Sequence, residues 1–296
     1  MRKRLCGIFI LGCAVIAIVC SIPRSASGLS PDDLGASVPS KGQVVMLRKY
    51  YCGNELKFDV QGKLVSGGQT GPWTLCRDIR IENIKLENGK LRIEGRRALL
   101  FYDNKQEQFR EITGNCSKQK VGITIELPPG ADDHNIQSAM DLLFYSSPQE
   151  ALATAPEAWR PFMEAEYNRH RQSATSSGPI AGNASSAIDV KTSSSPSEDE
   201  DGTILRVGKG VTAPVGLHTP DPDYSDPARC ARLRGTVLLS VIIGTDGLVR
   251  RPVVERAVGL GLDENAIVGV LGWKFKPARK DGKPVPVKIN VEVEYE

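Results

Sequence analysis

Residues 272–296 read GWKFKPARKDGKPVPVKINVEVEYE. Trp273, Phe275 and Pro277 alternate, and the Lys-Asp-Gly-Lys-Pro run at 280–284 supplies a turn. Val287, Ile289, Val291, Val293 and Tyr295 then alternate with mostly charged residues. A period of two is the signature of a strand with one buried face. Lys288, Glu292 and Glu294 fall on the opposite face. An edge strand presents unpaired N–H and C=O groups, so a side without a neighbour is either a hazard to be blunted by charge or a template for another chain.

Working upstream, GTVLLSVIIGTDGLVRRPVVE (235–255) reads as two strands around an Asp246-Gly247 turn. LDENAIVGVLGW (262–273) carries Leu262, Ala266, Ile267, Val270 and Leu271 at the spacing of a buried helical stripe. A short helix is expected over DPARCARL (226–233). The order is β-β-α-β. Pro277 cannot donate to a ladder and marks where pairing stops. Trp273 and Phe275 read first as core aromatics rather than ligand contacts.

These pieces form an ordered series. Pro222 and Tyr224 are followed by Ala228 and Arg229. Gly235 opens a strand, and Asp246-Gly247 forms the turn. LDENA begins the helix, W-K-F-K-P-A (273–278) ends it, and G-K-P-V (282–285) leads the last strand. In that order and spacing, residues 203–296 resemble the C-terminal domain of the TonB family of periplasmic energy transducers. The resemblance implies an α+β domain with a small antiparallel sheet. It also implies docking on outer-membrane TonB-dependent transporters by strand addition, in which backbone pairing gives affinity and side-chain pockets add selectivity. Carried over by position, the docking surface is the edge at Val287, Ile289, Val291 and Val293, with Pro222 and Tyr224 beside the incoming strand. An ExbB/ExbD-type inner-membrane motor is the implied energy source. A homodimer through the same edge, a scaffold that transduces no force, is the competing reading.

The chain departs from the family pattern in places. Tyr224 is followed by Ser225 where the family often has proline. The leader has no His, and Ser21 sits at its far end. The family's long proline-rich rod is replaced by a Ser-rich stretch at 173–202 ending in Glu-Asp-Glu-Asp, read as a disordered linker. Such a coil spans ~30 Å as an r.m.s. length and ~100 Å fully extended.

The N-terminal half is harder to name. MRKR followed by the uncharged run 5–22 and PRSASG reads as a signal peptide over 1–28, or as an uncleaved membrane anchor. Either way the positive end stays inside and the remainder lies in the periplasm. From 42 to 172 the pattern is a β-rich domain closed by helices. VVMLRKYY, ELKFDV, TLCRDIRIENIKL, KLRIEGRRALLFYD and VGITIEL read as strands, with Asn88-Gly89 as a hairpin turn. Ile136, Met140, Leu143 and Phe144 lie at helical spacing behind an Asp133 cap. Pro156 starts a second helix that carries Trp159, Phe162 and Met163.

Chemistry-bearing patterns are sparse. Four cysteines lie beyond the leader, Cys52, Cys76, Cys116 and Cys230. They permit disulfides in three pairings, or one bridge with buried thiols. No C-x-x-C argues for a metal or redox site, and no catalytic residue, metal ligand or cofactor is nominated. His134, His170 and His218 sit in three unrelated contexts. No hydrolase, zincin, phosphate-loop or dinucleotide motif occurs, so an enzyme is not expected. A net charge of +3 with scattered basic residues argues against nucleic acid.

Overall fold

The computed structural model describes residues 38–175 and 203–296. The leader lies outside the described residues, as does the Ser-rich stretch apart from Ser173–Thr175, which end a helix. The N-terminal part runs β1 (Val44–Met46), β2 (Tyr51–Cys52), β3 (Glu55–Phe58), β4 (Leu64–Ser66), β5 (Gln69–Thr70), α1 (Trp73–Cys76), β6 (Asp78–Glu87), β7 (Lys90–Arg97), β8 (Leu100–Asp103), β9 (Gln108–Glu111), β10 (Lys120–Glu126), α2 (Asp133–Leu143), α3 (Pro148–Ala153) and α4 (Arg160–Thr175). The C-terminal part runs β11 (Leu205–Arg206), β12 (Val215–His218), α5 (Asp226–Ala231), β13 (Gly235–Ile243), β14 (Val249–Arg256), α6 (Leu262–Leu271), β15 (Lys274–Lys276), β16 (Arg279–Lys280), β17 (Lys283–Pro284) and β18 (Val287–Tyr295). The fold is α+β, a β-rich part with closing helices followed by a β-β-α-β unit.

The larger sheet has the order β1-β6-β7-β10-β3-β4. Its central hairpin turns at Asn88 and Gly89, with φ of 52° and 72°. Two consecutive positive φ values match the strand twist, which is why Asn-Gly serves there. A register shift between Ile81 and Asn83 moves the buried phase of β6 by one residue, from Ile79 and Ile81 to Ile84. Helix α2 covers the apolar face with Ile136, Ala139, Met140 and Leu143. Its cap is Asp132 rather than Asp133. Asp132 has extended backbone and accepts from the Asn135 N–H at 3.0 Å, while the Asn135 side chain accepts from the Asp132 N–H at 3.1 Å. Only the residue still outside the helix can close that reciprocal pair.

The smaller sheet has the order β11-β18-β13-β14. Val237, Leu239, Val241 and Ile243 of β13 are fully buried, and α6 lies beneath with Leu262, Ala266 and Val270. Leu271, expected in that stripe, is instead exposed, because α6 ends there. Between β13 and β14, the Gly247 N–H donates to the Gly244 carbonyl and the Gly244 N–H to the Leu248 carbonyl, with Gly247 at φ 80°.

A single hydrophobic cluster spans both parts. It joins Trp73, Leu99, Leu100, Trp159 and Met163 to Val237, Val254, Val258, Leu260 and Leu262. Trp73 stacks on Trp159 with centroids 4.7 Å apart, and Phe109 meets both rings edge-on. Arg77 lies over the Trp73 ring and forms a two-pronged pair with Asp78 at 2.6 and 2.7 Å. The cysteines form two bridges rather than one with free thiols. Cys52–Cys76 closes the N-terminal part on itself, and Cys116–Cys230 ties it to α5.

Candidate functional site: the open edge of the terminal strand

β18 pairs along its whole length with β13, from Val287 opposite Ile243 to Tyr295 opposite Gly235. Among the described residues, its other side is occupied only at the start. β11 runs parallel to it, with Leu205 beside Val287 and Arg206 beside Lys288. From Ile289 to Tyr295 that side carries no ladder partner among the described residues.

The direction of the free groups follows from one hydrogen bond. The Leu205 N–H donates to the Pro286 carbonyl at 2.9 Å, so Pro286 points its main chain away from β13. Main-chain direction alternates along a strand. The outward N–H and C=O groups past β11 therefore belong to Asn290, Glu292 and Glu294. Val287, Ile289, Val291 and Val293, nominated from the sequence, have the other parity. Their main chains face β13, and Val287, Val291 and Val293 are buried, with Ile289 half-buried. They build the inner wall under the edge, whereas the groups that could accept a strand lie between them. Side-chain alternation was visible in the sequence. Which parity faced the neighbouring strand was not, because that depends on where β13 lies.

On the opposite flank the N-terminal part meets the chain just past the end of β14. There the Tyr102 N–H donates to the Val258 carbonyl at 2.9 Å and the Leu260 N–H to the Leu100 carbonyl at 2.7 Å. Gly259 has φ 96°, and a Cβ there would sit 2.5 Å from the Leu100 carbonyl oxygen and from Phe101 Cα. Only glycine allows this approach.

Pro222 and Tyr224 are held against the helix and the far end of β18. Pro222 packs on Gly269, where a Cβ would meet it at 2.6 Å. The Trp273 indole N–H donates to the Pro220 carbonyl at 2.9 Å, and the Asn265 side chain donates to the Asp223 carbonyl at 2.8 Å. The Tyr224 ring meets Tyr295 edge-on at 5.5 Å, and its hydroxyl donates to the Leu233 carbonyl. The Tyr295 hydroxyl donates to the Leu262 carbonyl at 2.9 Å. Burial, aided by Asp263, Asp223 and Glu264, pushes the Tyr295 phenol up. Tyr224 is thus beside the end of the edge, with its hydroxyl already used.

A second electrostatic feature escaped sequence reasoning. Asp263 accepts from the Val258 and Gly259 N–H groups at 2.8 and 2.6 Å. Glu264, next to it, accepts from Thr74 of the N-terminal part. Burial and the Asp263 charge push the Glu264 carboxyl well above the usual range. Nothing in LDENA signals that Thr74 will cover it.

Residues 220–296 match the family described as Gram-negative bacterial TonB protein C-terminal. This part of the chain is a TonB C-terminal domain. A solution NMR structure of the Pseudomonas aeruginosa TonB C-terminal domain is similar at 21% identity, covering 30% of this chain and 90% of that one with a TM-score of 0.24. No curated protein sequence matches the chain. Within the TonB C-terminal domain, the matched span starts at Pro220, so it includes the Pro222–Tyr224 element and excludes β11 and β12.

Proposed function

We propose that this chain is a periplasmic TonB-like protein whose C-terminal domain takes up an extended segment of an outer-membrane transporter as an added strand on β18, and that it couples the inner membrane to transport. The observation that carries the reading is the free outer side of β18. Among the described residues no strand pairs with β18 on that side from Ile289 to Tyr295, whereas the N-terminal part bonds the other flank just past the end of β14. The short strand β11 is already a strand added to that edge, so the edge accepts an extended partner in parallel.

Self-pairing of the same edge is less favoured. It would bring Glu292 and Glu294 of two copies together along one face, and like charges across a strand pair oppose association. Tension entering from the N-terminal side reaches α5 and β13 through Cys116–Cys230 and the shared core.

The test is an NMR titration of residues 29–296, both disulfides intact, with peptides from transporter N-termini. Amide shifts confined to Ile289–Tyr295 support the reading. An unchanged spectrum along that stretch overturns it, and a rise in mass by light scattering without peptide favours the dimer.

A further inference from the structure

Resting on the docking reading above, we propose that the segment taken up by β18 carries Lys or Arg at alternate positions facing the polar side of the sheet, with aliphatic residues between them. The free rungs are at Asn290, Glu292 and Glu294, whose side chains are all exposed on that side. Glu292 reaches Arg256 at 3.2 Å, yet its side chain stays 66% exposed. Glu294 has no ion pair among the described residues. A strand added at the usual spacing of about 4.8 Å brings its own polar-side groups within about 4.5–5.5 Å of these residues, measured between Cβ atoms. Two adjacent carboxylates favour cations there and repel carboxylates.

The inner side sets the other half of the pattern. Val291, Val293 and Tyr295 bring the core to the edge, so alternate side chains of the added strand extend an apolar face. β11 shows this arrangement on the first rungs. Leu205 is partly buried against the core, and Arg206 is exposed on the polar side. Arg206 stands beside Lys288, so the sign match begins only past β11. It also ends before the last residue, because Glu296 shares a cavity with Arg229, Arg232 and Arg234. The basic requirement is therefore confined to the rungs at Glu292 and Glu294.

Three capped seven-residue peptides of one aliphatic pattern test this, with Lys, Gln or Glu at the alternate positions. Each is titrated into residues 29–296 with both disulfides intact, following the Ile289–Tyr295 amides. The expected order of affinity is Lys, then Gln, then Glu, with Lys and Glu separated on the order of tenfold at low salt. The separation should shrink in 0.5 M salt and in the double variant Glu292→Gln/Glu294→Gln. Equal binding by all three peptides, or tightest binding by the Glu peptide, overturns this inference and leaves docking intact. Failure of all three to bind overturns the docking reading itself, and this inference with it.

Discussion

Thr74 and Glu264 lie 190 positions apart, and the Thr74 N–H donates to the Glu264 carboxylate at 2.7 Å. The Thr74 hydroxyl donates to the same carboxylate and accepts from the Gly261 N–H at 2.8 Å. Thr74 is fully buried. One threonine thus joins the N-terminal part to the first turn of α6, beside Tyr295 at the end of β18.

That junction should respond to pH. Burial and Asp263 raise the Glu264 pKa in the folded chain. The folded state then holds a proton that the unfolded chain releases at an ordinary glutamate pKa, so unfolding releases it. Stability is greater below the unfolded pKa and falls as pH rises through the raised value. The groups facing Glu264 do not reverse the sign, because Asp263 is acidic and Tyr295 is pushed further from titration. Glu264→Gln should flatten the slope and stabilise the chain by about 1 kcal/mol at pH 8, with little effect at pH 5. Urea unfolding of both proteins at the two pH values checks this, and parallel slopes would refute it.

The bridge between the parts should matter more than the local one. Cys116 and Cys230 are 114 positions apart, against 24 for Cys52 and Cys76. A longer closed loop restricts the unfolded chain more, and removing such a bridge costs roughly 2–5 kcal/mol. Cys116→Ser/Cys230→Ser should lower the urea midpoint more than Cys52→Ser/Cys76→Ser. The reverse order would show that the shared core alone fixes the two parts.

The aromatic cluster supplies the rest of that junction. Trp159 is 3% exposed and packs between Trp73, Phe109 and Phe162. Trp159→Ala should cost about 3–5 kcal/mol and reduce the near-ultraviolet circular dichroism arising from the stacked pair. Phe162, half-buried at the rim, should cost less on the same substitution. Equal losses would place the core elsewhere.

What could be read in advance divides along a physical line. Features set by neighbours in sequence were legible: the Asn88-Gly89 and Asp246-Gly247 turns, the Leu262–Ala266–Val270 stripe, and the alternation of Val287 to Tyr295. Features set by distant segments were not. Thr74 and Leu75 read as the start of the TLCRDIRIENIKL strand, yet with Trp73 they form α1 and meet α6 and Trp159, because the chain folds back on itself. The same holds for Cys116 with Cys230, and for the parity of the free edge, which a two-residue strand at Leu205–Arg206 reveals. Asp132 displaced Asp133 as a cap because a cap is defined by where the helix begins, not by which acid stands nearest the apolar run.

The parity of the edge leads to the sharpest test of the docking reading. Proline lacks an N–H and is tolerated on an edge strand where that N–H would face solvent. At Glu292 the N–H points away from β13, so Glu292→Pro removes a group offered to a partner and leaves the β13 ladder intact. At Val291 the N–H faces Leu239, so Val291→Pro breaks the ladder and empties a buried position. Glu292→Pro should change the unfolding free energy by less than about 1 kcal/mol while abolishing uptake of the lysine-bearing peptide. Val291→Pro should cost on the order of 3 kcal/mol. The comparison separates loss of the partner from loss of the fold. Undiminished peptide binding by Glu292→Pro would mean that the partner does not pair with this edge.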